Sequence, residues 1–488
     1  MTELQHAAKA TRPRIQPAEE GDRRPLSVSA RLGRLQFHQS GKFRVLQFAD
    51  IQDGPKVSKD TISLIEASLD ATRPDLVIFN GNQIAGYDSA YVLTSRKRRW
   101  DARPASASSE ASGERYAAAL EHTRELVRAT IEQLVHPLAD RGVPWAVTFG
   151  NHDFQCGLDN DEIESICREF PGCINPERAA DGTTGIAVKH GVKHDVGDME
   201  QDFGLPEQPV IACAPGTFAL SVTDVDRTYD VLGLVLLDSG DYARSGGYGS
   251  PSEAALRFLA DAPGLMAAQS QQLQQDRQDD EQDSPREPRK TPSTLPCMVF
   301  QHFPIEQYYR LLKPVAATAA RAIEGYRNFA GRHFVLNEDK TQPGSYLGEG
   351  VSCPDADSGE FAILDKAGYF AISAGHDHRN AFVGSVPVGT DGDRQMMMVA
   401  SPTSGFGSYG PVPAKRAARL FEFDIRHPYE PRTQLLEYDE LVGKPSAGKA
   451  YAYGMTSESK PDSEGMDLLH RPTWWSKTWN KLVSLFRR

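Results

Sequence analysis

Three short polar segments that contain histidine each follow directly after an apolar run. They are Gly150–Asp153, Gln301–Pro304 and Gly375–His378. An apolar run that ends in His, Asn or Asp predicts a buried strand whose carboxyl end carries polar side chains, at the edge where α/β proteins gather their sites. Each histidine taken alone could simply cap its strand. Three such strand ends in one chain instead predict a shared metal site, because imidazole is a common metal ligand.

Other strand ends add oxygen donors to these histidines. The polar residues at predicted strand ends are Asp50, Asn82, Asn151, His152, His302, His376 and His378. Mixed oxygen and imidazole ligands suit Mn, Fe or Zn better than Mg or Ca. Two such ions close together lower the pKa of a shared water and neutralise phosphate charge. The set therefore predicts a centre of one or two divalent ions that is suited to phosphoryl transfer.

Strands that alternate with helices position these residues. Strands are predicted at 44–50, 75–81, 144–150, 218–222, 229–239, 295–303, 369–376, 395–400 and 419–425, and helices at 58–74 and 116–141. The order strand, helix, strand at the start of the chain is typical of a parallel βαβ unit. The fold class is therefore predicted to be α/β.

One α/β domain is predicted over residues 34–443. Two segments rich in small or charged residues, at about 96–115 and 269–294, interrupt it and are interpreted as low-complexity insertions. The polar residues 1–33 predict a disordered arm. Residues 444–467 predict a linker to the last segment of the chain.

The last segment, residues 468–488, predicts an amphipathic basic helix. Its apolar face would carry Trp475, Trp479, Leu482 and Phe486, with basic residues beside it. Aromatic anchors with basic flanks favour weak contact with a membrane surface through 474–488, or docking to a partner. The alternative is a helix that folds back onto the core of its own chain.

Composition narrows the class of protein. The 488 residues carry a formal net charge of −12, which argues against nucleic acid as a binding partner. No apolar run is long enough to span a membrane, and the first residues lack the apolar region of a secretory signal. We therefore expect a cytoplasmic protein, with peripheral membrane contact through its C-terminal segment as the one exception.

The order of the polar segments resembles that of the calcineurin-like metallophosphoesterase superfamily. The family's segments run D-x-H, G-D, G-N-H-D/E, H and G-H-x-H, and residues 42–425 follow this order apart from the insertions. Within the superfamily the chain resembles most closely a group that contains a yeast-type dosage-dependent cell-cycle phosphatase. The segments that carry this closer resemblance are Phe300–Glu306, Glu349–Pro354, Gly375–Asn380 and Ser404–Gly410. The resemblance implies a four-layer α/β/β/α sandwich and hydrolysis of a phosphate ester by metal-activated hydroxide.

The resemblance also assigns roles to single residues. One metal would be bound by Asp50, Gln52, Asn82 and His378, and the second by Asn82, Asn151, His302 and His376. His152 would be the general acid, and Asp153 would orient it, unless Asp153 merely caps the loop. Guanidinium pairs well with phosphate oxygens, so Arg416 and Arg419 could contact the substrate phosphate, with a surface salt bridge as the alternative for either one.

Two positions depart from the family pattern, and both fall on the metal centre. Gln52 stands where the family has histidine, and Asn82 stands where it has the bridging aspartate. Asp50 is then the sole anionic ligand for two divalent ions, which predicts weak or partial loading of the first site. Asp53 and Asp88 could compensate for the lost charge, or could simply be turn residues.

Three hypotheses follow from the retained and altered positions. The first is a working metallophosphoesterase with an altered or single-metal site, which acts on a phosphoprotein, a nucleotide or a small phosphomonoester. The second is a pseudoenzyme that binds phosphorylated ligands or partners without turnover, because Asn82 replaces the bridging carboxylate. The third is a metal-stabilised scaffold whose histidines are structural.

Overall fold

The three-dimensional structure is a computed structural model that describes residues 24–101, 110–177, 185–188, 205–280, 292–443 and 457–458. The helices in these ranges are α1 (Val28–Leu32), α2 (Lys59–Thr72), α3 (Glu110–Asp140), α4 (Asn160–Arg168), α5 (Glu253–Asp280), α6 (Glu360–Ala367) and α7 (Tyr438–Val442). The strands are β1 (Lys42–Phe48), β2 (Leu76–Asn80), β3 (Trp145–Thr148), β4 (Gly185–Val188), β5 (Pro209–Ala214), β6 (Thr217–Thr223), β7 (Asp230–Leu237), β8 (Cys297–Gln301), β9 (Leu312–Val315), β10 (Ile323–Glu324), β11 (His333–Leu336), β12 (Tyr346–Leu347), β13 (Tyr369–Ala374), β14 (Val383–Val388), β15 (Arg394–Ala400), β16 (Ala417–Asp424), β17 (His427–Glu437) and β18 (Ser457–Glu458).

The first sheet has the strand order β17-β16-β1-β2-β3. β1, β2 and β3 run parallel, so their carboxyl ends meet at one edge, whereas β16 and β17 are antiparallel. Side chains along β1 and β2 alternate between two cores, as the period of a strand requires. Val45 and Ile78 pack toward the second sheet, and Leu46 and Phe79 pack against α2 and α3.

The second sheet has eight strands in the order β14-β15-β13-β8-β7-β6-β5-β4. Its centre, β7, β8, β13 and β15, is parallel. Leu236 and Phe300 face the first sheet, where the Phe300 ring meets Phe421 edge-on at 5.5 Å. Leu237 and Val299 face the opposite way, onto the core formed with α5 and α6. Two sheets thus pack face to face between helical layers, which confirms the predicted four-layer α/β/β/α fold.

The prediction of a disordered N-terminal arm is wrong for the last part of that segment. Leu26 is buried, and Ser27 caps the N-terminus of α1. The backbone N–H and the hydroxyl of Ser29 both donate to Asp75 Oδ1, each at 3.2 Å. These buried contacts tie residues 26–29 to the start of β2, although the composition of the segment is polar. Residues 1–23 lie outside the described part of the chain.

Both predicted insertions are smaller than expected. Arg96 is buried and pairs with Asp159 at 2.6 Å, and α3 already begins at Glu110. In the second insertion, α5 continues to Asp280, and the Ser270 hydroxyl within it accepts from the Asp230 N–H at 3.1 Å. Residues 102–109 and 281–291 are not described.

Most of the predicted linker and all of the predicted C-terminal helix lie outside the described residues. The described part of the linker is β18, which pairs antiparallel with β12. Among the helices that the structure describes, none combines the length and the apolar character needed to cross a membrane.

Candidate metal centre

Polar side chains from both sheets meet at one buried edge. Asp50, Asn82 and Asn151 follow β1, β2 and β3, while His302 follows β8 and His376 follows β13. All five are buried. The parallel direction of these strands explains the convergence, because each strand delivers its carboxyl end to the same side of the sandwich.

The turns after these strands are conformationally unusual. Asp50, Asn82 and His376 have φ angles of 51°, 54° and 68°, in the left-handed region that residues with a Cβ seldom adopt. Gly81 also has a positive φ, and a Cβ there would lie 2.6 Å from His302 Nδ1. Such strained backbone is typical of functional sites, where the surroundings hold it in place.

Asp50, His302 and His376 form a group that could hold a metal ion. Their donor atoms all lie within 4.8 Å of one another. His302 Nδ1 lies 3.2 Å from the Asn80 carbonyl oxygen, which can only accept, so Nδ1 carries the proton and the Nε2 lone pair faces the centre. One carboxylate and two imidazoles are a donor set that suits Zn, Mn or Fe. The chemistry of this trio therefore fits one divalent cation.

His378 contributes a second lone pair. Its Nδ1 lies 2.7 Å from the Tyr409 carbonyl oxygen, and its Nε2 lies 3.3 Å from Asp50 Oδ1. Two acceptors at that distance need a proton or a cation between them. Burial acts to lower the pKa of His378, but the charge of Asp50 and the hydrogen bond to it raise that pKa overall. Burial likewise acts to raise the pKa of Asp50, and the neighbouring imidazoles hold it below its ordinary range.

Asn82 lies among the ligand atoms with its amide nitrogen toward them. Nδ2 is 3.1 Å from Asp50 Oδ1, 3.2 Å from Asn151 Oδ1 and 2.9 Å from His302 Nε2. Its Oδ1 accepts from the backbone N–H of His152 at 2.8 Å. The side chain thus links the loops after four strands.

Gln52, which was predicted to be a metal ligand, is held by hydrogen bonds to neighbouring hydroxyl groups. Its Oε1 accepts from the Ser408 hydroxyl at 2.6 Å and from the Tyr87 hydroxyl at 3.5 Å. An amide binds cations through its oxygen, and in Gln52 that oxygen accepts from the Ser408 hydroxyl.

His152 stands beside the trio, oriented by a residue other than the predicted one. Its Nδ1 is 2.7 Å from Gln155 Oε1, so Nδ1 carries the proton and Nε2 lies 3.3 Å from Asn151 Nδ2. Tyr87 packs edge-on against the ring at 4.9 Å. Burial lowers the pKa of His152 to about 4. The imidazole is therefore neutral near pH 7 until a negative charge approaches it.

Asp153 does not contact the His152 ring, so its predicted orienting role is wrong. Its carboxylate accepts from the backbone N–H groups of Gly150, Asn82 and Gln83, each at 2.8 Å. Burial raises the pKa of Asp153 to about 7 despite these bonds. Asp153 fastens the loops after β2 and β3 to each other, as in the loop-capping alternative.

The predicted substrate contacts Arg416 and Arg419 are also corrected. Both guanidinium groups are buried, and both donate hydrogen bonds to other groups of the protein. Arg416 donates to the carbonyl oxygens of Gly405 and Ser408, and Arg419 donates to the Ala400 carbonyl at 2.9 Å and to Ser401. They hold the loop that brings Ser408 and Tyr409 to the centre, and they are not available to a phosphate.

The two carboxylates considered as compensating charge are turn residues. Asp53 accepts from Thr61 Oγ1 at 2.7 Å and from the Ser58 N–H at 3.1 Å. Asp88 accepts from the Ala90 N–H at 2.8 Å. Asp50 therefore remains the sole carboxylate among the candidate ligands.

Several residues of the site could not be found from local spacing. The Tyr242 hydroxyl accepts from Asn151 Nδ2 at 2.8 Å, and the guanidinium of Arg98 lies 3.7 Å from the centre of the Tyr242 ring. The Tyr248 ring packs edge-on against His376 at 4.4 Å, and Tyr409 stacks on His378 at 4.2 Å. These tyrosines come from loops whose sequences carry no metal-ligand pattern.

Comparisons with known proteins agree with the geometry. Residues 43–211 match the family described as calcineurin-like phosphoesterase. The chain is 19% identical to "Probable inactive purple acid phosphatase 29" of Arabidopsis thaliana, over 94% of this chain and 92% of that protein. It is 22% identical to "Phosphatase DCR2" of Saccharomyces cerevisiae, over 74% of this chain and 47% of that protein, so it spans about half of the yeast phosphatase. It is 20% identical to "Probable inactive purple acid phosphatase 14" of Arabidopsis thaliana, over 80% of this chain and 77% of that protein. The family match over residues 43–211 and the order of ligand segments along both sheets make the chain similar to the calcineurin-like phosphoesterases.

Proposed function

We propose that the protein hydrolyses a phosphate ester with the help of a bound divalent cation. The observation that carries the proposal is the convergence of Asp50, His302 and His376 beside His152 in one buried site. A scaffold would need no such group of buried metal-ligand atoms within 4.8 Å of one another. The substrate is a phosphorylated small molecule or phosphoprotein.

A cation held by Asp50, His302 and His376 would lower the pKa of a water and offset phosphate charge. The chain's own residues supply the rest of the chemistry. Gln155 fixes the His152 tautomer, which leaves Nε2 facing the centre. The negative charge of a bound phosphate raises the pKa of the imidazole, so that His152 can hold the proton that the leaving group needs.

The test is hydrolysis of a chromogenic phosphomonoester and a chromogenic phosphodiester by protein loaded with Mn, Fe or Zn. Two variants prepared in the same way serve as controls. His376→Ala removes a donor of the trio, and His427→Ala changes an exposed histidine at the start of β17. We expect metal-dependent turnover that is lost in His376→Ala and kept in His427→Ala. Equal turnover in all three samples would reveal a contaminating phosphatase.

A second candidate function is binding of phosphorylated ligands without turnover. The specific observation in its favour is the Asn82 amide, which offers N–H groups where the family has a bridging carboxylate. The two Arabidopsis thaliana relatives whose names include "probable inactive" also support it. Saturable binding of inorganic phosphate by the metal-loaded protein, with no hydrolysis under any metal, would favour this candidate.

A further inference from the structure

The orientation of the Asn82 side chain is fixed by a neighbour that can only donate. The backbone N–H of His152 lies 2.8 Å from Asn82 Oδ1, so the atom at that position must be the oxygen. The backbone N–H of Asn82 is in turn held by Asp153 at 2.8 Å. Turning the amide over would place its NH₂ against a buried N–H and would leave both donors without an acceptor.

This orientation turns two N–H groups toward the ligand atoms. Asn82 Nδ2 has no lone pair to give a cation, and it donates into the acceptors Asp50 Oδ1, Asn151 Oδ1 and His302 Nε2. A bridging carboxylate would offer oxygen there and would carry negative charge between two cations. With Asp50 as the single carboxylate and Gln52 engaged by Ser408, two divalent ions would repel each other without a shared ligand.

We propose that the centre binds a single divalent cation, on Asp50, His302 and His376, and that the Asn82 amide excludes a second one. This inference deepens the proposed function and rests on it for the identity of the metal site. The amide holds the site together in place of a second ion, because it links the loops after β1, β2, β3 and β8 by hydrogen bonds.

The substitution Asn82→Asp tests the inference because it replaces the amide NH₂ with a carboxylate oxygen and leaves the shape of the side chain almost unchanged. Aspartate tolerates the φ of 54° nearly as well as asparagine, and its first oxygen can keep the bond to the His152 N–H. Its second oxygen would face Asp50 Oδ1 and Asn151 Oδ1, so it is repelled in the metal-free protein. Binding of two cations would relieve that repulsion.

The experiment counts bound metal in protein equilibrated with Mn²⁺, by elemental analysis and by electron paramagnetic resonance. Wild type is expected to hold about one ion with the signal of isolated Mn²⁺ and Asn82→Asp about two with a coupled signal. Asn328→Asp, which adds the same charge at an exposed position, is expected to behave as wild type. Chelation should lower the melting temperature of Asn82→Asp by several degrees more than that of wild type.

Two coupled ions in wild type, or none, would overturn the inference, and so would an unchanged count in Asn82→Asp. The wild-type count decides the matter even where the variant does not fold. One ion together with no hydrolysis of any phosphate ester would end the proposed function and leave the single-cation inference standing. Hydrolysis by a protein with two ions would do the reverse.

Discussion

The two halves of the candidate metal centre differ in how many of their predicted metal-ligand atoms face the site. In the half formed by Asn151, His302 and His376, every side chain still presents a donor to the site, and the tautomer of His302 is set by the Asn80 carbonyl. In the half formed by Asp50, Gln52 and His378, the Gln52 oxygen is engaged by Ser408. The two halves therefore differ in the residue types that they carry and in the hydrogen bonds that hold those residues.

Asn82 lies between the halves and belongs to neither as a ligand. Its oxygen accepts from the backbone N–H of His152, and its nitrogen donates to Asp50 on one side and to His302 on the other. The repulsion between two cations would therefore have to be offset by Asp50 alone. The half that keeps its donors, joined by Asp50, is where we place the single cation.

The largest effect is expected from removing a donor of the retained half. His376→Ala should lose the bound cation and with it about 10³-fold in kcat/KM, because a metal is worth several kcal/mol of transition-state stabilisation. Metal content and turnover are measured on the same sample. A variant that keeps both would place the cation elsewhere.

The next effect concerns His152, which lies outside both halves. His152→Asn should lower kcat by about 10²-fold for an alkyl phosphate, whose leaving group needs a proton, and much less for an aryl phosphate with an acidic leaving group. Metal content should not change. An equal loss on both substrates would argue against proton transfer by His152.

Arg416 tests whether the loop beside the weaker half is structural. Arg416→Lys should destabilise the fold by about 2 kcal/mol, because a lysine cannot serve both carbonyl groups that the buried guanidinium bonds. KM for a phosphomonoester should stay within a factor of about two. Arg426→Lys, at an exposed position, is the matched control for denaturant unfolding. A large rise in KM without loss of stability would restore the substrate-binding role.

The smallest effect is expected from repairing the weaker half by itself. Gln52→His should leave the metal count of wild type unchanged, because the Asn82 amide still faces the site. In the Asn82→Asp background the same change should tighten binding of the second ion by about tenfold, since it adds an imidazole ligand. Calorimetric titration with Mn²⁺ measures both. A second ion in Gln52→His alone would show that Gln52, and not Asn82, limits the centre.

Local patterns in the sequence predicted the α/β class and the convergence of ligands, whereas the four-layer sandwich was implied by the family resemblance. Apolar runs such as Cys297–Gln301 fix where strands end, and parallel strands bring those ends together. The length of α5 was missed because its second half is polar, and contacts such as that of Ser270 with Asp230 lie far apart in the chain.

The orientation of single side chains could not be predicted from the sequence. Whether Asn82 presents oxygen or nitrogen depends on the His152 N–H, which comes from another loop. The guanidinium groups of Arg416 and Arg419 suggested phosphate binding, but the Ser408 carbonyl accepts from Arg416 and the Ala400 carbonyl accepts from Arg419. Likewise, the Asp153 carboxylate accepts from backbone N–H groups of two loops and does not contact the ring of its neighbour His152.

The most direct test of the account is anomalous diffraction from crystals of the protein grown with Mn²⁺ or Zn²⁺. The account predicts one anomalous peak within bonding distance of Asp50, His302 and His376, with the Asn82 oxygen still bonded to the His152 N–H. Two peaks joined by the Asn82 oxygen would contradict the single-cation centre, and no peak at these residues would contradict the metal site itself.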